Sequence, residues 1–157
     1  MQCQRPRETT IEFYLQNLAS GPDATVFPVT GLKGTSVFHL ILAPFSPLTI
    51  PCITETLSKI STQVGRAQGI LVASALSGSN VHVSVSIAFT NGDTMVACLE
   101  IQGISRQYER YKELSVVAGT GTFRYARDLA TLETIFHDDM TSYSVVRRTI
   151  RLLLNTS

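Results

Sequence analysis

Apolar and polar side chains alternate with a period of two along much of this chain. In NVHVSVSIAF, Val81, Val83, Val85, Ile87 and Phe89 fall on one side and His82, Ser84, Ser86 and Ala88 on the other, which predicts a β-strand with one buried face. Weaker alternation runs through TIEFYLQNLA, where Ile11, Phe13, Leu15 and Asn17 share a face. It recurs in TSVFHLILA, in GILVASAL and in TMVACLEIQG, the last with Met95, Ala97, Leu99 and Ile101 in step. The separators LSGSN, TNGD and AGTGT are short and carry glycine, and Asn91-Gly92 is a hairpin signal. Successive strands are therefore expected to run antiparallel.

Two later stretches fit less cleanly. TFRYARDLATLETIF and SYSVVRRTIRLLL can each be read as helix or strand; the β-branched Val145, Val146 and Ile150 weigh toward strand. With both included, the pattern predicts an all-β fold, an eight-stranded antiparallel up-and-down β-barrel that closes its own edges and holds at most one small ligand. Residues Pro44 to Val64 contain three prolines and are expected to form a loop over one barrel mouth. The domain plan is an N-terminal extension over 1–8, the barrel over 9–154, and the start of a linker or tail at 155–157.

Composition narrows the classes. A chain of 157 residues with 44% hydrophobic and 16% charged residues is one folding domain with a sizeable core. Its formal net charge of +1 supplies no long-range field for a phosphate backbone, so nucleic acid is not an expected partner. The polar start MQCQRPRETT is followed by no apolar run of the length of a signal core or a membrane span; the chain is expected to be cytoplasmic, with no membrane partner. Cys3, Cys52 and Cys98 are odd in number and patternless in spacing, unlike a disulfide framework or a metal knuckle. Reduced thiols are expected, with Cys98 a small apolar filler.

VVAGTGTFRYARD is the segment that most invites a chemical reading. A dinucleotide loop needs Gly-x-Gly-x-x-Gly, but Arg124 occupies the third glycine position, and no Gly-Lys-Ser/Thr follows,. A tight turn entering a strand is expected instead, with glycine supplying positive φ. Strict alternation there would place Arg124 and Arg127 on opposite faces. Asp138-Asp139 after His137 could offer oxygen ligands to a hard cation, although an acidic turn explains them as well, and no metal is expected. Arg147, Arg148 and Arg151 are expected on a solvated or inter-subunit face. His39 and His82 have no neighbouring ligands in sequence, and no local motif provides a nucleophile with its base.

VGRAQGILV and ELSVVAGTGTFRYAR, with TLSKISTQ leading into the first and Pro47-Leu48-Thr49 upstream, closely resemble the signature segments of the plant dirigent family. The similarity runs from IEFYLQN to the last strand. It implies a dirigent or allene-oxide-cyclase-like barrel with a central cavity, usually trimeric. It also implies a non-oxidising partner that holds phenoxyl radicals, such as those of coniferyl alcohol, during stereospecific coupling; some members are thought to assist ring closure through acidic side chains.

Against that pattern the cavity residues are exchanged. The family's Tyr-x-His-Asp is Tyr14-Leu15-Gln16-Asn17 here, so an acid becomes an amide. The cavity tyrosine after Gly-Arg-Ala-Gln-Gly is Leu71, Gly-x-Asp is Gly103-Ile104-Ser105, the arginine just before the acidic residue that opens the second motif is Lys112, and an acidic pair is Phe45-Ser46. Carboxyl proton donors are missing at Asn17, at Ser105 and at Phe45-Ser46, a phenol is missing at Leu71, and Lys112 exchanges one cation for another. With no leader expected, the chain resembles a subset of grass-plant dirigent domains joined to a C-terminal jacalin-type mannose-binding lectin. The expectation from sequence is thus a non-catalytic binding domain of a cytosolic plant defence lectin, recognising carbohydrate, without cofactor and as a homo-oligomer. The alternatives are a dirigent auxiliary directing phenoxyl coupling in lignan biosynthesis and a purely structural oligomerisation module. Candidate ligand-binding positions are Gln16, Asn17, Leu71, Ser105, Lys112 and Arg124.

Overall fold

The computed structural model describes residues 7–26, 50–53, 63–75, 77, 79–91 and 94–154. Its strands are β1 (Arg7–Leu18), β2 (Ile50–Ile53), β3 (Gln63–Ala73), β4 (Asn80–Asn91), β5 (Thr94–Arg106), β6 (Tyr111–Gly119), β7 (Asp128–Asp138) and β8 (Tyr143–Leu154). The fold is all-β and antiparallel, as the alternation predicts. Each strand pairs with the next in sequence, and β1 returns to β8 from Arg7 opposite Leu154 to Leu18 opposite Tyr143, closing the barrel. Seven long strands carry the curl. The short β2 meets β1 at Tyr14 opposite Ile53 and Leu15 opposite Cys52.

The predicted alternation sets which face is inside. Phe13, Leu15, Val83, Val85, Ile87, Leu99, Ile101, Leu114, Leu132, Ile150 and Leu152 are buried in one apolar cluster. Each such aliphatic or aromatic side chain contributes about 1.5–3 kcal/mol when removed from water. Opposed residues in an antiparallel ladder share a face, so the core extends around the ring through pairs such as Ile87 with Leu99 and Ala130 with Ile150.

Several local expectations need correction. Pro44 to Val64 is not all loop, because β2 occupies Ile50–Ile53 and β3 begins at Gln63. Pro51 lacks a ladder donor, but its neighbours Ile50, Cys52 and Ile53 favour extended backbone, and a four-residue strand results. The strand expected in TSVFHLILA, and His39, Phe45 and Ser46 with it, lie outside the described residues. So does Gly92 of the Asn91-Gly92 signal; the β4–β5 ladder reaches Asn91 opposite Thr94, a two-residue connection.

TFRYARD does not continue as a strand. Gly121–Phe123 is a single 3-10 turn, and β7 starts at Asp128. Gly121 has φ 59°, and a Cβ there would run into the Val96 carbonyl oxygen, so glycine alone suits this close approach. Tyr125 follows with φ 66°, in the left-handed region, and turns the chain into β7. The imperfect period of TFRYARDLATLETIF has a second cause. A register shift between Thr134 and Phe136 swaps faces within β7, so Leu132 is buried while Phe136 is exposed against Tyr143, as a bulge does.

The two barrel ends differ. The β6–β7 connection folds under one end, where Phe123 packs on Phe89 at 5.2 Å and Phe89 meets Phe13 edge-on at 5.8 Å. Among the described residues, the other end is bordered by the β3–β4, β5–β6 and β7–β8 connections and is open. Among the described residues no helix is long and apolar enough to cross a membrane.

Candidate functional site: a polar cavity at the open end

The inner face becomes polar toward the open end. On β1 the inward series Ile11, Phe13, Leu15 ends at Asn17, which lies opposite Ser144 of β8. On β7 and β8, Thr134 lies opposite Val146, and His137 lies opposite Ser144. These residues and Lys112, together with the β5–β6 connection, line a cavity of about 610 Å³, a size suited to a small organic ligand. Asn17 Oδ1 is buried and accepts no hydrogen bond in the structure. A buried amide oxygen normally has a donor; Asn17 lines the cavity with this one unpartnered.

Cations lie below this rim. Lys112 of β6 is opposite Leu132 of β7, and Leu132 is opposite Arg148 of β8, which is opposite Phe13. Lys112 and Arg148 therefore occupy one inner belt. Arg148 is only 7% exposed. Burial first, and the like charge of Arg148 second, lower the Lys112 ammonium pKa from its ordinary 10.5, while Glu109 opposes the shift,. Glu109 itself sits at the rim and pairs with Arg106 at 3.0 Å.

The β5–β6 wall is thinned beside Lys112. Their ladder runs from Leu99 opposite Gly119 to Gln102 opposite Ser115; nearer the open end, no further register pair joins them among the described residues. Gly103, with φ 153°, stands where they part, and a Cβ on it would meet Leu114 Cδ2 at 3.0 Å. A second cavity, about 540 Å³, lies on the outer side of this seam and also reaches Lys112 and Glu109. The interior cavity has the stronger case as the site, because Asn17, whose buried oxygen is unpartnered, lines it.

Of the sequence candidates, the structure brings Asn17 and Lys112 together in this cavity. Ser105, buried at 5%, faces inward opposite Val81, and Gln107 Nε2 donates to its Oγ at 3.5 Å. Leu71 also faces inward, opposite Val83. Gln16 does not join them: alternation puts it on the outer face, opposite Val145. Arg124 is exposed beside the 3-10 turn at the closed end, so it is remote from the other candidates.

The arginine trio also divides. Arg148 is inside, Arg147 is outside and binds Glu133, and Arg151 is exposed. Sequence reasoning missed Arg148, although Ser144, Val146, Arg148, Ile150 and Leu152 form one alternating set that marks it as inward. Outside, Glu133 accepts from Arg147 and, at 3.1 Å, from Arg110. Hydrogen bonding from Arg147 holds its carboxyl below the ordinary value of 4.5. The Asp138 carboxylate is engaged by the turn, accepting from Met140 N at 3.0 Å and Thr141 Oγ1 at 2.6 Å. His137 Nε2 faces Asp139 at 3.0 Å. No group of metal-ligating side chains occurs among the described residues. Cys98 faces outward rather than filling the core, its thiol 3.2 Å from Glu100 Oε1.

The profile of the family described as "Dirigent-like protein" matches residues 8–153, which span every described strand except the first residue of β1 and the last of β8. The chain belongs to the dirigent-like protein family. It is 28% identical over 144 residues to Dirigent protein 1 of Arabidopsis thaliana, covering 87% of this chain and 76% of that one. It is 29% identical over 127 residues to Pterocarpan synthase 1 of Glycine max, covering 78% and 66% respectively. The solved structure of the pterocarpan synthase dirigent protein PsPTS1 superposes with a TM-score of 0.79 at 25% identity, covering 98% of this chain and 99% of that one. Dirigent-like proteins of this fold thus include members named for directing and members named as synthases. Within this dirigent-like chain, the glycine turn at Gly119 and Gly121 belongs to the scaffold, while Asn17, Lys112 and His137 line the cavity.

Proposed function

We propose that this protein is a dirigent auxiliary: it holds phenolic radicals in the open-end cavity and directs their stereoselective coupling, leaving oxidation to a separate oxidase. The carrying observation is Asn17, which lines that cavity and whose buried Oδ1 has no hydrogen-bond donor. A phenolic or alcoholic hydroxyl donates to it, and the apolar wall below, including Val146 and Leu15, packs the ring. Holding two reactants in one orientation is sufficient to bias radical coupling, because the bond forms from electrons the oxidant has already unpaired. Acid-assisted ring closure, the chemistry that the synthase names of some relatives suggest, is less well supported. It needs a positioned proton donor, and the family acid at the first strand is the amide Asn17 here.

The complete eight-stranded barrel assembling as a trimer is part of the same proposal. Ile70, Val96 and Ile104 are exposed on the outer face, and apolar surface of this kind favours self-association; light scattering measures it. A second reading, a carbohydrate-binding domain of a cytoplasmic lectin chimera, draws support from the neutral polar set Asn17, Ser144 and Thr134. A glycan array tests it, and absence of saccharide binding overturns it. The main reading is tested by oxidising coniferyl alcohol with and without the protein. An enantiomeric excess of pinoresinol is expected; racemic product with the protein present would overturn it.

A further inference from the structure

The barrel wall is breached where β5 and β6 part, and the dirigent reading leaves the groove over that breach unused. Beyond Gln102 opposite Ser115, β5 stays laddered to β4 as far as Arg106 opposite Asn80, and β6 stays laddered to β7 from Tyr111 opposite Glu133. Each strand is held by its other neighbour, while the seam between them has no register pair among the described residues. The outer groove, about 540 Å³, is lined by Asn80, Ile104, Arg106, Tyr111 and Glu113, and it shares Lys112 and Glu109 with the interior cavity. The two cavities therefore meet at a pair of long, flexible side chains.

The groove's chemistry favours a neutral ligand over an ion. Arg106 and Lys112 are matched there by Glu109 and Glu113, and Arg106 already binds Glu109 at 3.0 Å, so an ion would meet a like charge beside each opposite one. A polyol suits such a lining. Carboxylates accept from its hydroxyls, the guanidinium and the Asn80 amide donate to them, and hydrogen bonds to ionised groups are the stronger kind. Glu113 has no ion-pair partner among the described residues. Tyr111, 62% exposed, and Ile104, 56% exposed, add apolar surface for the C–H face of a sugar,. Arg110, which lines the interior cavity, lies 5.5 Å from the centre of the Tyr111 ring and pairs with Glu133, which steadies that ring.

We propose that the ligand is a phenol carrying a glycosyl group on its side chain. The phenol ring sits in the interior cavity toward Asn17, the side chain leaves the barrel between Lys112 and Glu109, and the sugar rests in the outer groove beside Asn80 and Glu113. This rests on the phenolic-ligand reading above and names its substrate class as a glycosylated phenol rather than the free alcohol. The two ends of the ligand are read on opposite sides of the barrel wall, and the breach at the seam is what joins them.

Coniferyl alcohol, its glucoside on the side-chain hydroxyl, and methyl β-glucoside present the ring alone, the ring with a sugar, and the sugar alone, which makes them the probes. Isothermal titration of the wild-type protein is expected to show the phenolic glucoside binding about tenfold more tightly than coniferyl alcohol, the scale of a hydrogen bond or two to ionised groups. Methyl β-glucoside should bind more weakly than either. The double variant Asn80→Ala/Glu113→Ala should bring the phenolic glucoside down to the affinity of the alcohol, with circular dichroism melts verifying that it folds. Equal affinity for the two phenols, tighter binding of the alcohol, a preference that survives the double variant, or methyl β-glucoside binding as tightly as the phenolic glucoside would overturn the inference; the phenolic reading stands in each case where coniferyl alcohol binds. Failure of both phenols to bind would overturn both readings. The three-probe comparison on the wild-type protein decides the question independently of any variant.

Discussion

At one end of the barrel Phe13, Phe89 and Phe123 stack beneath a 3-10 turn; at the other, Asn17 and Lys112 line a cavity, and Arg148, opposite Phe13, lies between the two. The same strands supply both. β1 contributes Phe13 and then, four residues later, Asn17; β8 contributes Leu152 and Ile150 and then Arg148 and Ser144. Moving along each strand, the inner face changes from close-packed apolar to polar and partly unpaired. Stability is concentrated at the closed end and recognition at the open one, an arrangement in which the chemistry varies without disturbing the core.

Breaking the closed end should have the largest effect. Leu99 is fully buried, and Leu99→Ala is expected to cost about 2–5 kcal/mol in chemical denaturation through lost burial and a residual cavity. Gly121→Ala should cost about 1–3 kcal/mol, because its positive φ and its contact with Val96 admit no Cβ easily,. In both variants, ligand selectivity per folded molecule should persist.

Changes in charge should be smaller and pH-dependent. Glu133 has its folded pKa depressed, so its contribution is present above the ordinary value of 4.5 and is lost as pH falls through the folded value. Glu133→Gln should therefore lower stability at neutral pH and reduce the loss between neutral and acid, as denaturation at several pH values would show. Lys112 has the opposite sign of effect. Its depressed folded pKa means that the unfolded chain binds the proton more tightly, so wild-type stability rises with pH from the folded pKa toward 10.5. Lys112→Met should melt slightly higher at neutral pH and lack that alkaline rise. Asn17→Ala should move stability least, by under about 1 kcal/mol, since the lost amide oxygen has no protein partner.

How far the sequence anticipates this contrast depends on local regularity. Val81 to Phe89 alternates without interruption, and β4 follows it directly. Where geometry departs from a period of two, the pattern misleads: the register shift after Thr134 and the 3-10 turn at Gly121–Phe123 both come from tertiary closure of the barrel. Asn17 is legible because it extends an apolar face, and Lys112 through the family comparison; Gln16 enters through that comparison beside Asn17, and alternation separates the two. Arg124 was attached to the site through a glycine motif that builds the closed end. Arg148 was hidden in an arginine run, because charged neighbours suggest a solvated face until the strand's alternating set is followed. Thr134, His137 and Ser144 share the β7–β8 hairpin, whereas Asn17 of β1 joins them only when the barrel closes.

The central claim is that the open-end cavity, anchored by Asn17, imposes stereochemistry. Its most direct test is the enantiomeric excess of pinoresinol formed from oxidase-generated coniferyl alcohol radicals, with wild-type protein and Asn17→Ala compared at equal folded concentration. The account predicts a clear excess with the wild type and a nearly racemic mixture with Asn17→Ala. Racemic product from the wild type, or an undiminished excess from the variant, would contradict it.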